Sequence, residues 1–142
     1  SPLVGIVQVY SYVNQTWWPQ GSALVGTGSN AVLSGNGQVL VIGDPAARRE
    51  RGQITTYEFD SDANEWLLSS TRQQLRGSFT SIDEVDANVT GGSALGSVMA
   101  LSYDGSILVT GEPLYEQGSG RVQVYQFESS SWTLKGFSPS IG

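Results

Sequence analysis

One stretch of this chain is written twice. Leu33-Ser34-Gly35-Asn36-Gly37-Gln38-Val39-Leu40-Val41-Ile42-Gly43-Asp44-Pro45 aligns without gaps on Leu101-Ser102-Tyr103-Asp104-Gly105-Ser106-Ile107-Leu108-Val109-Thr110-Gly111-Glu112-Pro113, and upstream Gly28-Ser29 falls on Gly96-Ser97. A fold for this chain must build the same local structure at both places, so an internal repeat is the first constraint. A second block occurs three times: Gly5–Tyr10, Gly52–Tyr57 and Gly120–Tyr125, each followed by a tryptophan (Trp17, Trp66, Trp132). Leu24-Val25-Gly26 and Leu75-Arg76-Gly77 close two of the copies.

The blocks read as strands. Val7 and Val9, like Val122 and Val124, alternate with glutamine, which is the period-2 signature of a half-buried strand. Asn36-Gly37 and Asp104-Gly105 predict type I′ hairpins joining 31–34 to 39–42 and 99–102 to 107–110. Pro45 and Pro113 stop the strands before them, because proline has no N–H for the ladder. The expected fold is all-β, with antiparallel four-stranded units at 5–51 and 52–119 and a partial unit at 120–142, about two and a half in one domain. The spacing from Gly52 to Gly120 exceeds that from Gly5 to Gly52, and the surplus falls mostly in the polar stretch 78–92. That stretch reads as a surface loop inserted into one copy.

Four-stranded units at this spacing are the footprint of β-propeller blades. The run from Gly96-Ser97-Val98 through Leu101-Ser102-Tyr103-Asp104-Gly105 to Pro113, then Gly120–Tyr125 and Trp132, resembles the FG-GAP-like repeats of integrin α chains and of large secreted algal and protist proteins. The resemblance covers nearly the whole chain and implies a β-propeller-type fold in an extracellular or cell-surface setting. Copies of that family which bind calcium carry carboxylates at alternate loop positions. Here the loops read Ser34-Gly35-Asn36-Gly37 and Ser102-Tyr103-Asp104-Gly105, one carboxylate or none, so no metal site or cofactor is carried over. About two and a half units do not close a propeller of about 4–8 blades, so either the missing blades lie outside this sequence, or the strands form an open sandwich or are completed by neighbouring chains.

Composition narrows the function. A net charge of −6 argues against nucleic acid as partner, and no apolar run is long enough to span a membrane as a helix. The opening Ser1-Pro2-Leu3 has no initiator methionine, which reads as a piece of something longer. The basic cluster Arg48-Arg49-Glu50-Arg51 is read as a solvated loop; contact of Arg48, Arg49 and Arg51 with an anionic polymer, a glycan or an acidic neighbour is the alternative.

No residue is assigned a catalytic role. The chain has no histidine or cysteine, and Lys135 is its one lysine, on a predicted strand. Asp83, Glu84 and Asp86 form the dense acidic cluster, which could hold a weak surface ion, while Asp44 and Glu112 share a repeat position and read as architecture. Trp17, Trp66 and Trp132 share another and are expected in the core. Trp18 has no counterpart and is the candidate for contact with a glycan or neighbour. Asn14-Gln15-Thr16 and Asn88-Val89-Thr90 are glycosylation sequons in predicted loops. The reading is a non-enzymatic extracellular structural module, a glycosylated part of a filament or surface assembly. Its partners are further copies of itself or flanking repeats. A carbohydrate- or ligand-binding module is the first alternative and a carboxylate-dependent hydrolase the second.

Overall fold

The computed structural model describes residues 5–78 and 91–137. Its strands are β1 (Ile6–Val13), β2 (Thr16–Val25), β3 (Asn30–Leu33), β4 (Val39–Asp44), β5 (Gln53–Asp60), β6 (Glu65–Leu68), β7 (Leu75–Arg76), β8 (Val98–Leu101), β9 (Ile107–Glu112), β10 (Arg121–Glu128) and β11 (Ser131–Phe137). Among the described residues all pairings between these strands are antiparallel and fall into three sheets, with one isolated parallel bridge from Gly52 to Leu95. The first sheet is β1-β2, the second β3-β4-β5-β6 with β7 on β5, and the third β8-β9-β10-β11. The chain is all-β with antiparallel sheets, as its patterning predicts.

The phase of the repeat differs from the sequence-drawn units. Each Leu-Ser hairpin pairs with the Tyr and Trp strands that follow it, not with those before it: β4 pairs with β5 and β9 with β10. The reason lies in the connections. Asp44 leads to Gln53, and Glu112 to Arg121, through tight turns whose ends are tied by Gly52 N–H to Ala47 O (2.9 Å) and Gly120 N–H to Tyr115 O (3.0 Å). Between β2 and β3 the chain instead crosses to the next sheet. The third sheet therefore has all four strands, and the first is the one with no Leu-Ser hairpin among the described residues.

The outer strand of each sheet breaks at a similar place. Register shifts between Val7 and Val9 in the first sheet and between Val124 and Tyr125 in the third. In the second sheet the break widens into the excursion 69–74 that separates β6 from β7.

The Ser-x-Asn/Asp-Gly turns are not type I′. Asn36 and Asp104 keep negative φ, and only Gly37 (φ 73°) and Gly105 (φ 74°) enter the left-handed region. Gly37 N–H closes a turn onto Ser34 O (2.9 Å), as Gly105 N–H does onto Ser102 O (3.0 Å). Side chains decide the geometry. Asp104 Oδ1 accepts from Ser102 Oγ (2.9 Å), Ser106 N (3.0 Å) and Ser106 Oγ (2.6 Å), and Ser102 Oγ accepts from Ile107 N (2.9 Å). Those bonds favour a turn in which the Asp carboxylate faces the following amides. Genuine two-residue turns with paired positive φ lie elsewhere, at Asn14-Gln15 (51°, 63°) and Ser129-Ser130 (50°, 58°).

Two apolar layers lie between the sheets. One joins Val9 of the first sheet to Leu40, Ile42 and Trp66 of the second. The other joins Val39, Val41 and Ile54 of the second to Leu108 and Trp132 of the third, with Leu75 and Leu95.

Asp104 supplies a pH test. The hydroxyl and amide of Ser106, then the hydroxyl of Ser102, hold its carboxyl at about 2, below the ordinary 3.8. Because the folded value is depressed, the charge stabilises the fold fully above pH ~4 and loses that contribution as pH falls towards ~2. The carboxyl carbon of Asp104 is expected to titrate by NMR with a midpoint of about 2. The stability gap between wild type and Asp104→Asn should stay constant above pH ~4 and shrink below it.

Candidate interaction surfaces

The three repeated tryptophans occupy one register position: Trp17 lies opposite Tyr12, Trp66 opposite Phe59 and Trp132 opposite Phe127. Strand alternation puts each tryptophan on the same face of its sheet as its aromatic partner. In two of the three sheets this face packs on the preceding sheet. The Trp66 indole N–H donates to Gln20 O of the first sheet (3.0 Å), and that of Trp132 donates to Thr56 Oγ1 of the second (3.1 Å). These tryptophans are 5% and 3% exposed.

Trp17 departs from the expectation of burial. It is 64% exposed, in ring contact only with Tyr12 (4.9 Å). Its sheet is the first of the described stack, so the rule that buries the other two leaves Trp17 with nothing to pack on among the described residues.

The outer face of the third sheet is likewise uncovered among the described residues. In the second sheet Ile54 and Val39 lie under the third sheet and are 0% and 5% exposed, while their repeat mates Val122 and Ile107 are 45% and 42% exposed. Gly43 and Gly111 make the same comparison in backbone. A Cβ at Gly43 would lie 2.5 Å from Gly96 O of the neighbouring sheet, whereas one at Gly111 would meet only Val98 Cβ, at 3.6 Å. Glycine recurs at a position where the described fold does not require it.

Two residues of the 69–74 excursion fasten the second sheet to the third, and no repeat signal announces either. Arg72 is ion-paired with Glu58, stacks over the Phe127 ring (3.7 Å to the centroid) and reaches Gly105 O (3.4 Å). Burial lowers its pKa against the opposing pull of Glu58. Gln73 acts as a short substitute strand on the edge of β11: its amide donates to Trp132 O and accepts from Trp132 N, both at 2.8 Å. An excursion of polar residues beside a bulge position is the only sequence signal for them.

The remaining predicted residues are dispersed. Asn14 is exposed at the tip of the β1–β2 hairpin. Trp18 is 58% exposed and, by alternation, on the face opposite Trp17. Arg48 and Arg49 are exposed on a left-handed turn (φ 57° and 60°), whereas Arg51 is half-buried, with its carbonyl accepting from Leu95 N (3.0 Å). The basic cluster is thus divided. The Glu112 carboxylate is buried and engaged, by Arg121 at Oε2 (2.5 Å) and by Ser93 Oγ at Oε1 (2.8 Å). Its repeat mate Asp44 is half-buried. No group of three acidic side chains converges among the described residues. Asp83, Glu84, Asp86 and Asn88 lie outside those residues. No helix among them is long and apolar enough to cross a membrane.

No family model matches the chain, and no curated protein matches it. Among solved structures it is similar to the crystal structure of Saccharomyces cerevisiae Sqt1, with a TM-score of 0.54 at 14% identity. The match covers 94% of this chain and 30% of that one. At that identity the likeness is one of fold, and this chain spans under a third of the length of Sqt1.

Paired substitutions separate finished from unfinished faces. Gly43→Ala should cost about 1–3 kcal/mol by overpacking against Gly96, whereas Gly111→Ala should stay within about 0.5 kcal/mol. Trp132→Ala should cost about 3–5 kcal/mol and Trp17→Ala under about 1 kcal/mol. Urea unfolding of the four variants reads all of them.

Proposed function

We propose that this chain is a non-enzymatic structural module of β-propeller-blade type, akin to the FG-GAP-like repeats, working outside the cell in a glycosylated filament or surface assembly. The observation that carries the reading is the inter-sheet packing rule, obeyed twice among the described residues and left open on their two outer sheet faces. Trp17 offers the aromatic side of a further interface. Gly111, Val122 and Ile107 offer the glycine and branched side of another. The two sides are the halves of one contact, so further sheets of the same kind, from another copy or from flanking repeats, extend the stack without new chemistry. Such a head-to-tail contact is heterologous and builds rings or open filaments. Exposed Asn14, first residue of the sequon Asn14-Gln15-Thr16, is the glycosylation site of this reading.

A carbohydrate-binding reading is favoured by one observation: Trp17 and Trp18 both stand exposed on β2. Sugar rings stack on such faces, and a glycan array separates this reading from pure assembly.

The assembly reading is tested by sizing and native mass. Protein from its native source should carry glycan mass at Asn14 and either exceed the 142-residue chain or self-associate with increasing concentration. Gly111→Val should abolish self-association while leaving the circular dichroism spectrum unchanged. A native, unglycosylated chain of this length that stays monomeric at all concentrations would overturn the reading.

A further inference from the structure

β1 is half of a two-stranded sheet, and its second edge has no strand partner among the described residues. Its repeat mates β5 and β10 are paired on that edge by the second strand of a Leu-Ser hairpin, with Leu40 opposite Tyr57 and Leu108 opposite Tyr125. Beside β1 lies a cleft of about 590 Å³ floored by Ala31, Leu33 and Leu40 of the second sheet and bordered by Val9, Tyr10 and Trp17.

That floor has a counterpart which is covered. Met99, Leu101 and Leu108 are the repeat mates of Ala31, Leu33 and Leu40, and Met99, Leu101 and Leu108 pack in the layer with Val32, Val39 and Val41 of the β3–β4 hairpin. Leu33 is 42% exposed, and Ala31 is exposed as well. The cleft is therefore the seat of a hairpin, with an edge to bond its backbone and an apolar floor for its alternate side chains.

We infer that the β1 edge and this cleft form an acceptor site for a β-hairpin with the chain's own Leu-Ser-x-Asn/Asp-Gly pattern, supplied from outside the described residues. The guest strand runs antiparallel to β1, its leucine opposite Tyr10 and its glycine opposite Val7, as β4 lies on β5. Backbone bonding gives affinity and the alternate apolar residues give selectivity, as in strand addition to a sheet edge. A free edge of this kind also invites indiscriminate pairing, which a shaped cleft restricts to guests of the right period.

The inference rests on the assembly reading only for the source of the hairpin; the site itself is tested separately. A peptide with the sequence of residues 30–45 is added to the full chain, and hydrogen exchange of the β1 amides is followed. Peptide-dependent slowing of at least tenfold in β1 alone is expected, absent with a scrambled peptide and lost in Leu33→Arg. A second measurement covers a peptide too poorly folded to bind: residues 30–51 are placed directly before Gly5, reproducing the native β4–β5 connection. The grafted chain should protect β1 and melt at a higher temperature. Unprotected β1 amides in the grafted chain would overturn the inference, whatever the state of self-association. Protection of β1 by the scrambled peptide as strong as that by the peptide of residues 30–45 would overturn it as well.

Discussion

A buried indole must satisfy its N–H as well as hide its ring, and the whole arrangement of sheets follows from where that hydrogen finds an acceptor. Trp66 uses the carbonyl of Gln20, and Trp132 uses the hydroxyl of Thr56. The acceptors differ chemically but both belong to the preceding sheet. Each bond fixes how far one sheet can slide across the next, which an apolar contact alone would leave loose. Phe59 and Phe127 then fill the space beside each ring, and Arg72 lies over Phe127 to close the second layer.

The separation between sheets is not uniform. Near Gly43 and Gly96 the backbones approach so closely that no Cβ fits at Gly43, and Asn30 clasps the carbonyls of Gly96 and Ser97 at 2.9 Å each. Near Trp132 the gap holds an indole, a phenyl ring and a guanidinium. Small residues at one end and the bulkiest at the other make the space between sheets a wedge.

Strand content, the repeat and the strand-ending prolines were legible because they depend on local alternation and on the missing proline N–H. What misled were features settled by neighbours. Asn36-Gly37 and Asp104-Gly105 look like two-residue hairpin turns until the serine two residues earlier joins the hydrogen-bond network. Trp17 holds the same repeat position as Trp66 and Trp132, and only the absence of a preceding sheet among the described residues exposes it. The pairing of each hairpin with the strands after it turns on the brevity of two connections, which a periodic pattern does not reveal. Arg72 and Gln73 occur once each, outside the repeat, and their roles arise only where the excursion meets β11.

The inserted stretch leaves and re-enters the fold through a closed neck. Ser78 N–H donates to Ser93 Oγ (3.0 Å) and Ser93 N–H to Ser78 O (2.8 Å), while Gly77 N–H is tied to Gly52 O (3.0 Å). The two ends of the insertion are therefore held together at one place. Closing a longer loop costs only about 0.6 kcal/mol per doubling, so the number of residues the neck encloses weighs little on the cost of closing it, whereas Gly92, buried against the backbone of Glu50 and Arg51, belongs to the neck itself. For evolution, and equally for an engineer, this neck is a port at which one module in a chain of near-identical ones can acquire an individual identity.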